Sequence, residues 1–175
     1  MPQFAYFGPT ELHSVPKGGF CISVFAVARE GGRTLLVKPA EHPRWREEWA
    51  PNWRRYTPEM LKHEYESWRF PSSYVKEGEP PEGTLSRIMG DQLGVPSYEV
   101  ASSRLLNFYE PSRSFPGSNH WDYCFVYEVK LNVAPSPKPW LSAAGYVDLA
   151  GLKPDDFGSA QGSLASELKL VSGGP

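Results

Sequence analysis

Residues 81–93, PEGTLSRIMGDQL, place Leu85, Met89 and Leu93 at i, i+4 and i+8, with Gly94 directly behind them. That spacing gives a helix one apolar stripe, and the glycine supplies a left-handed stop. A helix this one-sided must lie against another layer, and the rest of the chain offers strands. Phe20 to Glu30, FCISVFAVARE, is rich in β-formers and is broken by Gly31-Gly32 before TLLVK at 34–38, a hairpin pattern. Two further strand-like runs, VASSRLLNFYE at 100–110 and WDYCFVYEVKL at 121–131, flank the loop PSRSFPGSNH. The tail carries GYVDLAGL at 145–152 and a helix pattern from Phe157 to Val171, with Leu164 and Leu168 on one face. Strands alternating with a central and a terminal helix predict an α/β fold, a mixed sheet sandwiched between helices.

The 175 residues are 40% apolar, enough for one sizeable core, so a single domain over 1–175 is expected. Lys and Arg number 18 against 20 Asp and Glu, a net charge of −2, which excludes a basic nucleic-acid module and a general attraction to anionic lipid. No apolar run approaches the roughly 20 residues of a membrane helix, and residues 1–19 lack the pattern of a secretory signal. A soluble, cytoplasmic protein without a membrane partner is expected. Glycine (16) and proline (18) predict turn-rich connections, while 14% aromatic residues supply more burial than a disordered chain carries. Cys21 and Cys124 sit in strand-like runs with no CxxC spacing, which reads as two buried thiols rather than a disulfide or zinc pair.

Between Glu41 and Ser67 the pattern changes. Pro43, Pro51 and Pro58 divide the segment into short helical pieces, and it holds Trp45, Trp49, Trp53, Tyr56 and Tyr65, with Trp68 and Phe70 just beyond. An aromatic stripe of this kind packs as core more often than it binds a ligand. Trp53 beside Arg54 and Arg55 also combines a ring to stack a base with cations to meet a phosphate. Trp45, Trp49, Trp53, Arg54, Arg55, Trp68 and Arg69 are therefore the ligand candidates, and both a fixed cover and a movable lid remain open. Basic and acidic residues balance within the segment, which argues against a nucleic-acid patch. His13, His42, His63 and His120 are scattered, and His120-Trp121-Asp122 leads from a loop into a strand.

Ser73 to Val95, SYVKEGEPPEGTLSRIMGDQLGV, resembles the signature of the Nudix superfamily: Gly, five residues, Glu, seven residues, then Arg-Glu-apolar-x-Glu-Glu-x-Gly-apolar. Glu79, Arg87, Met89, Gly94 and Val95 match in spacing. WRFP at 68–71 looks like the family's Trp-x-apolar-Pro lead-in to paired glycines, here Ser72 and Ser73, and YVDLAGL is similar to its closing Trp-x-x-Leu-x-x-Leu, with Tyr146 for the Trp. The resemblance covers roughly residues 18–171. It implies a Nudix-like α/β/α sandwich with a mixed β-sheet between helices, and residues 41–67 as an aromatic-rich insertion.

The resemblance also implies hydrolysis of a nucleoside diphosphate linked to another group, with Mg²⁺ or Mn²⁺ held by glutamates at i, i+3 and i+4 of the helix, a spacing that brings carboxylates to one face. In this chain those positions are Ile88, Asp91 and Gln92, and Val129 to Val147 contains no acidic residue. Serine in place of the paired glycines implies a steric cost wherever φ must be positive. The expectation is a degraded metal site with no cofactor, in a binding or scaffold module for a nucleotide-type ligand or a protein partner. The alternative is a divergent Mg- or Mn-dependent hydrolase with replacement ligands from Glu77, Glu79, Asp91 or the insertion, Glu79 and Asp91 being the metal candidates. Glu79 and Arg87 read as a pair that ties the loop to the helix. Nothing in the sequence indicates an oligomeric state.

Overall fold

The computed structural model describes residues 18–168 apart from 114, 137 and 160. In chain order its main elements are β1 (Phe20–Glu30), β2 (Arg33–Pro39), α1 (Pro58–Glu66), β3 (Ser72–Tyr74), α2 (Pro81–Arg87), β4 (Tyr98–Pro111), β5 (Asn119–Leu131), β6 (Leu141–Val147) and α3 (Gln161–Glu167). Gly31 and Gly32, at φ +55° and +78°, turn β1 into β2, a pair of left-handed residues that matches the strand twist of a tight hairpin. The sheet runs β4-β5-β1-β2-β6, with β3 also paired to β1. β5 runs parallel to β1, and the other neighbours pair antiparallel, so the sheet is mixed.

Period-two alternation sends the apolar residues of the central strands to both faces. Val24, Ala26 and Ala28 of β1, Leu35 and Val37 of β2, and Tyr127 and Val129 of β5 meet Leu85, Ile88, Met89 and Leu93 on one side. Phe25, Val27, Leu36, Cys124 and Val126 meet Phe70, Phe157, Leu164 and Ala165 on the other. The stripe expected of residues 81–93 is thus buried against the sheet. Met89, fully buried, should lose about 2–5 kcal/mol of stability on replacement by alanine. A loss below about 1 kcal/mol in urea denaturation would contradict this packing.

Several boundaries differ from the expectations for physical reasons. The α-helix stops at Arg87, and Ile88–Gln92 form a wider π turn in which Leu93 N donates to Ile88 O at 3.1 Å. Neighbours take the released carbonyls: Trp140 Nε1 donates to Gln92 O and Ser136 N to Leu93 O, each at 3.0 Å. Gly94, at φ +68°, ends the turn, and a Cβ there would collide with Ser136 Oγ. The last helix begins at Gln161 rather than Phe157, because Gly158 N donates to Trp68 O at 2.9 Å and Ser159 is left-handed at φ +52°. Residues 169–171 of that expected helix lie outside the described residues, as does His13. Ser72 and Ser73 lie in β3, paired with Phe25 and Val24 of β1, and Ser159 is the one non-glycine residue at positive φ among the described residues. The steric cost expected at the two serines does not arise.

Residues 41–67 form a π turn at Trp45–Trp49, a 3₁₀ turn at Pro51–Arg55, and α1, whose first turn is capped by Thr57 Oγ1 accepting from Met60 N at 3.3 Å. Trp45, Trp49 and Trp53 are each 1% exposed, and Trp45 stacks on Trp53 with ring centroids 5.4 Å apart. They build a third apolar cluster that Trp140 joins, its carbonyl accepting from Trp45 Nε1 at 2.6 Å. Of the two cysteines, Cys124 is buried and Cys21 only half-buried, because β1 leaves the core at its first residues; both are free thiols. Among the described residues no helix is long and apolar enough to cross a membrane.

Candidate functional site

The turn before α2 is closed by its own polar groups. Glu79 Oε2 accepts from Lys76 N at 3.1 Å and from Thr84 Oγ1 at 2.7 Å. Arg87 makes a two-point contact with the same carboxylate, Nε to Oε1 at 3.0 Å and Nη2 to Oε2 at 2.8 Å. It also donates to Ser73 Oγ at 2.8 Å and to Tyr74 O at 3.0 Å, so one guanidinium joins loop, helix and β3. These donors, Arg87 chiefly, hold the Glu79 carboxyl down at about 2. The stability this supplies is complete above the ordinary value of 4.5 and is lost as pH falls towards 2. Glu79→Gln should therefore be less stable than wild type at pH 7, with the difference shrinking between pH 4.5 and 3. A difference in urea midpoint that stays constant over that range would disprove the assignment.

The positions at which the resemblance implies metal ligands are built differently. Ile88 is fully buried among the core residues of α2 and β1. Gln92 is also fully buried, donating Nε2 to Ser72 O at 3.0 Å, while its Oε1 has no partner. Asp91 and Glu77 are exposed. Glu79 is committed to Arg87, and Glu82 accepts from Tyr127 OH at 3.1 Å. A hard cation needs several oxygen ligands converging on one point. Here they diverge into core, ion pair and solvent, and no group of three His, Cys, Asp or Glu suited to a metal occurs among the described residues. The residues present do not fit Mg²⁺ or Mn²⁺ in the signature-like segment Ser73 to Val95, the box.

Beside the box lies a cavity of about 650 Å³. Ser72 and Ser73 form part of its wall and link it to the box, since Ser72 O accepts from Gln92 and Ser73 Oγ from Arg87. The sheet contributes Ser23 of β1, Glu110 of β4 and Asp122 of β5. Residues 41–67 contribute Trp49, Trp53 and Arg55; Arg69 and Arg113 complete the cover. Ser23 Oγ donates to Asp122 Oδ1 at 2.9 Å. Burial raises the Asp122 carboxyl above its ordinary range, and burial together with the Asp122 charge does the same to Glu110. Burial also pushes the Cys21 thiol up to about 11 and Cys124 upward, so both stay protonated near neutral pH and neither is an activated nucleophile.

A buried carboxylate joins α1 to the segments around it. Glu64 of α1, fully buried, pairs with Arg69 and accepts from Arg113 Nη1 at 3.2 Å, from Ser159 N at 3.0 Å and from Ser159 Oγ at 2.9 Å. A side chain at Gly158 would approach Glu64 Oε2 to 2.7 Å, so glycine is needed there for this close packing. Arg69 in turn lies over the Trp53 ring at 5.0 Å.

Of the ligand candidates from the sequence, Trp49, Trp53, Arg55 and Arg69 line the large cavity. Trp45 sits behind them in the aromatic cluster, and Trp68 packs against the core with Lys38 Nζ 4.7 Å over its ring. Arg54 turns to a separate cavity of about 340 Å³ with Glu41, His42 and Tyr65. The sequence reading missed Ser23, Glu110 and Arg113 and gave Asp122 no binding role. The pairing of Cys21 with Asp122 and of Ser23 with Cys124 across parallel β1 and β5 brings the first of these together, and sequence periodicity carries no signal for a register between strands so far apart.

No family model and no curated protein matches the chain. Solved structures do. The MutT protein of Methanosarcina mazei Go1 superposes with a TM-score of 0.57 at 13% identity, covering 86% of this chain and 93% of that one. The E. coli ORF135 protein gives 0.54 at 14% identity, with 91% and 94% covered. A UDP-X diphosphatase gives 0.46 at 16% identity and covers 83% of this chain and 53% of that one, so this chain spans about half its length. With a mixed sheet between α2 on one face and α3 on the other, the chain has a Nudix-like fold.

Proposed function

We propose that this chain is a binding module of the Nudix fold that takes a nucleotide-type ligand in the large cavity and does not hydrolyse it. The observation that carries the reading is the contrast between two neighbouring places. The cavity has the volume of a small-molecule site and offers guanidiniums from Arg55, Arg69 and Arg113 together with aromatic surface. The helix positions beside it hold buried Ile88 and Gln92 in place of acids. Guanidiniums bind phosphate oxygens in a charge-assisted, two-point manner, and rings stack on bases. Arg55, exposed and seated 4.8 Å over the Phe115 ring, is the cation least committed to other groups.

Calorimetric titration with ADP, GDP, CDP and UDP tests the binding, and product release in Mg²⁺ or Mn²⁺ tests the chemistry. Saturable binding is expected, weakened at least tenfold by Arg55→Ala with little change in thermal midpoint, and hydrolysis should stay at background. Turnover of about 1 s⁻¹ or more, abolished by a chelator, would establish the metal-dependent hydrolase instead. Absence of binding by all four diphosphates would leave the protein-scaffold role.

A further inference from the structure

Four polar atoms on residues that line the large cavity are buried without a hydrogen-bond partner: Trp49 Nε1, Asn52 Oδ1, Arg69 Nε and His120 Nδ1. Trp49 is 1% and Arg69 6% exposed, so these groups are held out of solvent by the fold. Buried polar atoms in folded proteins are almost always paired, and these four, with almost no accessible surface, face protein atoms behind the cavity wall, so the ligand must be read from the groups that do face the cavity.

The cavity is chemically two-sided. Its cover carries Arg55, Arg69 and Arg113, and the Glu64 carboxylate offsets only one of the two guanidiniums that touch it. Its sheet wall carries Asp122 and Glu110. A carboxylate has about four acceptor positions, and the Ser23 hydroxyl and the Cys124 thiol occupy two on Asp122. A desolvated carboxylate short of donors is unfavourable, and N–H groups of a ligand would relieve it. The acid therefore calls for a ligand with donors at one end, and the cover for one with phosphate at the other.

Among the common bases, guanine alone presents two adjacent N–H donors on its pairing edge, the ring N1–H and the 2-amino group. Adenine and cytosine set a donor beside a ring acceptor, and uracil sets its single N–H between two carbonyls. Resting on the proposed nucleotide binding, we infer that the cavity is selective for guanine nucleotides, with the Asp122 carboxylate taking the two N–H donors and the cover arginines taking the phosphates.

The test compares GDP, IDP and ADP on the full chain by calorimetry, with wild type and Asp122→Asn. GDP should bind at least tenfold tighter than ADP. IDP, which lacks only the 2-amino group, should fall between them, and this comparison needs no variant. Asp122→Asn should bring the GDP to ADP ratio close to one. Equal affinity for GDP and ADP, equal affinity for GDP and IDP, or a preference that survives Asp122→Asn would overturn the inference and leave nucleotide binding intact. Failure of GDP, ADP, CDP and UDP alike to bind at 1 mM (roughly −4 kcal/mol) would overturn both.

Discussion

Glu64→Ala is expected to lower the unfolding free energy by about 3–5 kcal/mol, because it leaves a guanidinium buried without its counter-ion. Arg69 is only 6% exposed and its Nε already has no partner, so it has no solvent to fall back on. The same substitution strips Ser159 N of its acceptor and leaves Arg113 only Ser159 O, and so loosens α1 from the β4–β5 loop and from the start of α3. Replacing both members, as in Glu64→Leu with Arg69→Met, removes the stranded charge and should recover most of the loss, since apolar side chains of similar volume often replace a buried pair at little cost. Urea denaturation of the two variants decides the matter. If Glu64→Ala costs less than about 1 kcal/mol, the carboxylate is not what holds the cover.

Placing an acid at position 88, where the Nudix signature carries one, should damage the fold rather than create a hydrolase. Ile88 is fully buried beside Leu85 and Met89, and an unpaired carboxylate there costs several kcal/mol or stays protonated. The folded-state value of the new group then lies above its unfolded one. Ile88→Glu should therefore come closest to wild type below about pH 4 and lose ground by up to about 1.4 kcal/mol per pH unit above it, until the folded protein also ionises. Denaturation at pH 4 and pH 7 measures the slope. A variant as stable as wild type at pH 7 that also gains Mg²⁺-dependent turnover would refute this account of the box.

Much of the layer order is legible in the residues themselves. Leu85, Met89 and Leu93 announce a helix on a sheet, and Gly31-Gly32 announces the hairpin. The positions of Ile88, Asp91 and Gln92 were also legible, since they are fixed by spacing along one short segment. The cavity was not. Its walls come from β1, β3, β4, β5, residues 41–67 and the start of α3, and they meet through pairings that local pattern does not encode. Trp45 and Trp53 illustrate the limit: both have the composition of a ligand platform, yet Trp45 is spent on packing and Trp53 divides between packing and the cavity wall. Glu64 is the reverse case. In the sequence it is one of the charges that balance within residues 41–67, and Arg69, Arg113, a left-handed Ser159 and the closely packed Gly158 allow it to be buried.

The parallel pairing of β1 with β5 also bears on how the chain reaches its fold. Ser23 and Cys124, which touch across these strands, are separated by 101 positions. The β1–β2 hairpin can form early, but its apolar edge waits until β5 has been synthesised and a loop of that length has closed. Closure entropy of this kind must be met before the long-range contacts reward it, which places the chain among slow folders on the scale of milliseconds to seconds. During translation at roughly 5–20 residues per second, the hairpin edge stands unpaired for several seconds. Truncation anywhere before β5 would make that exposure permanent, and such fragments should accumulate as aggregates.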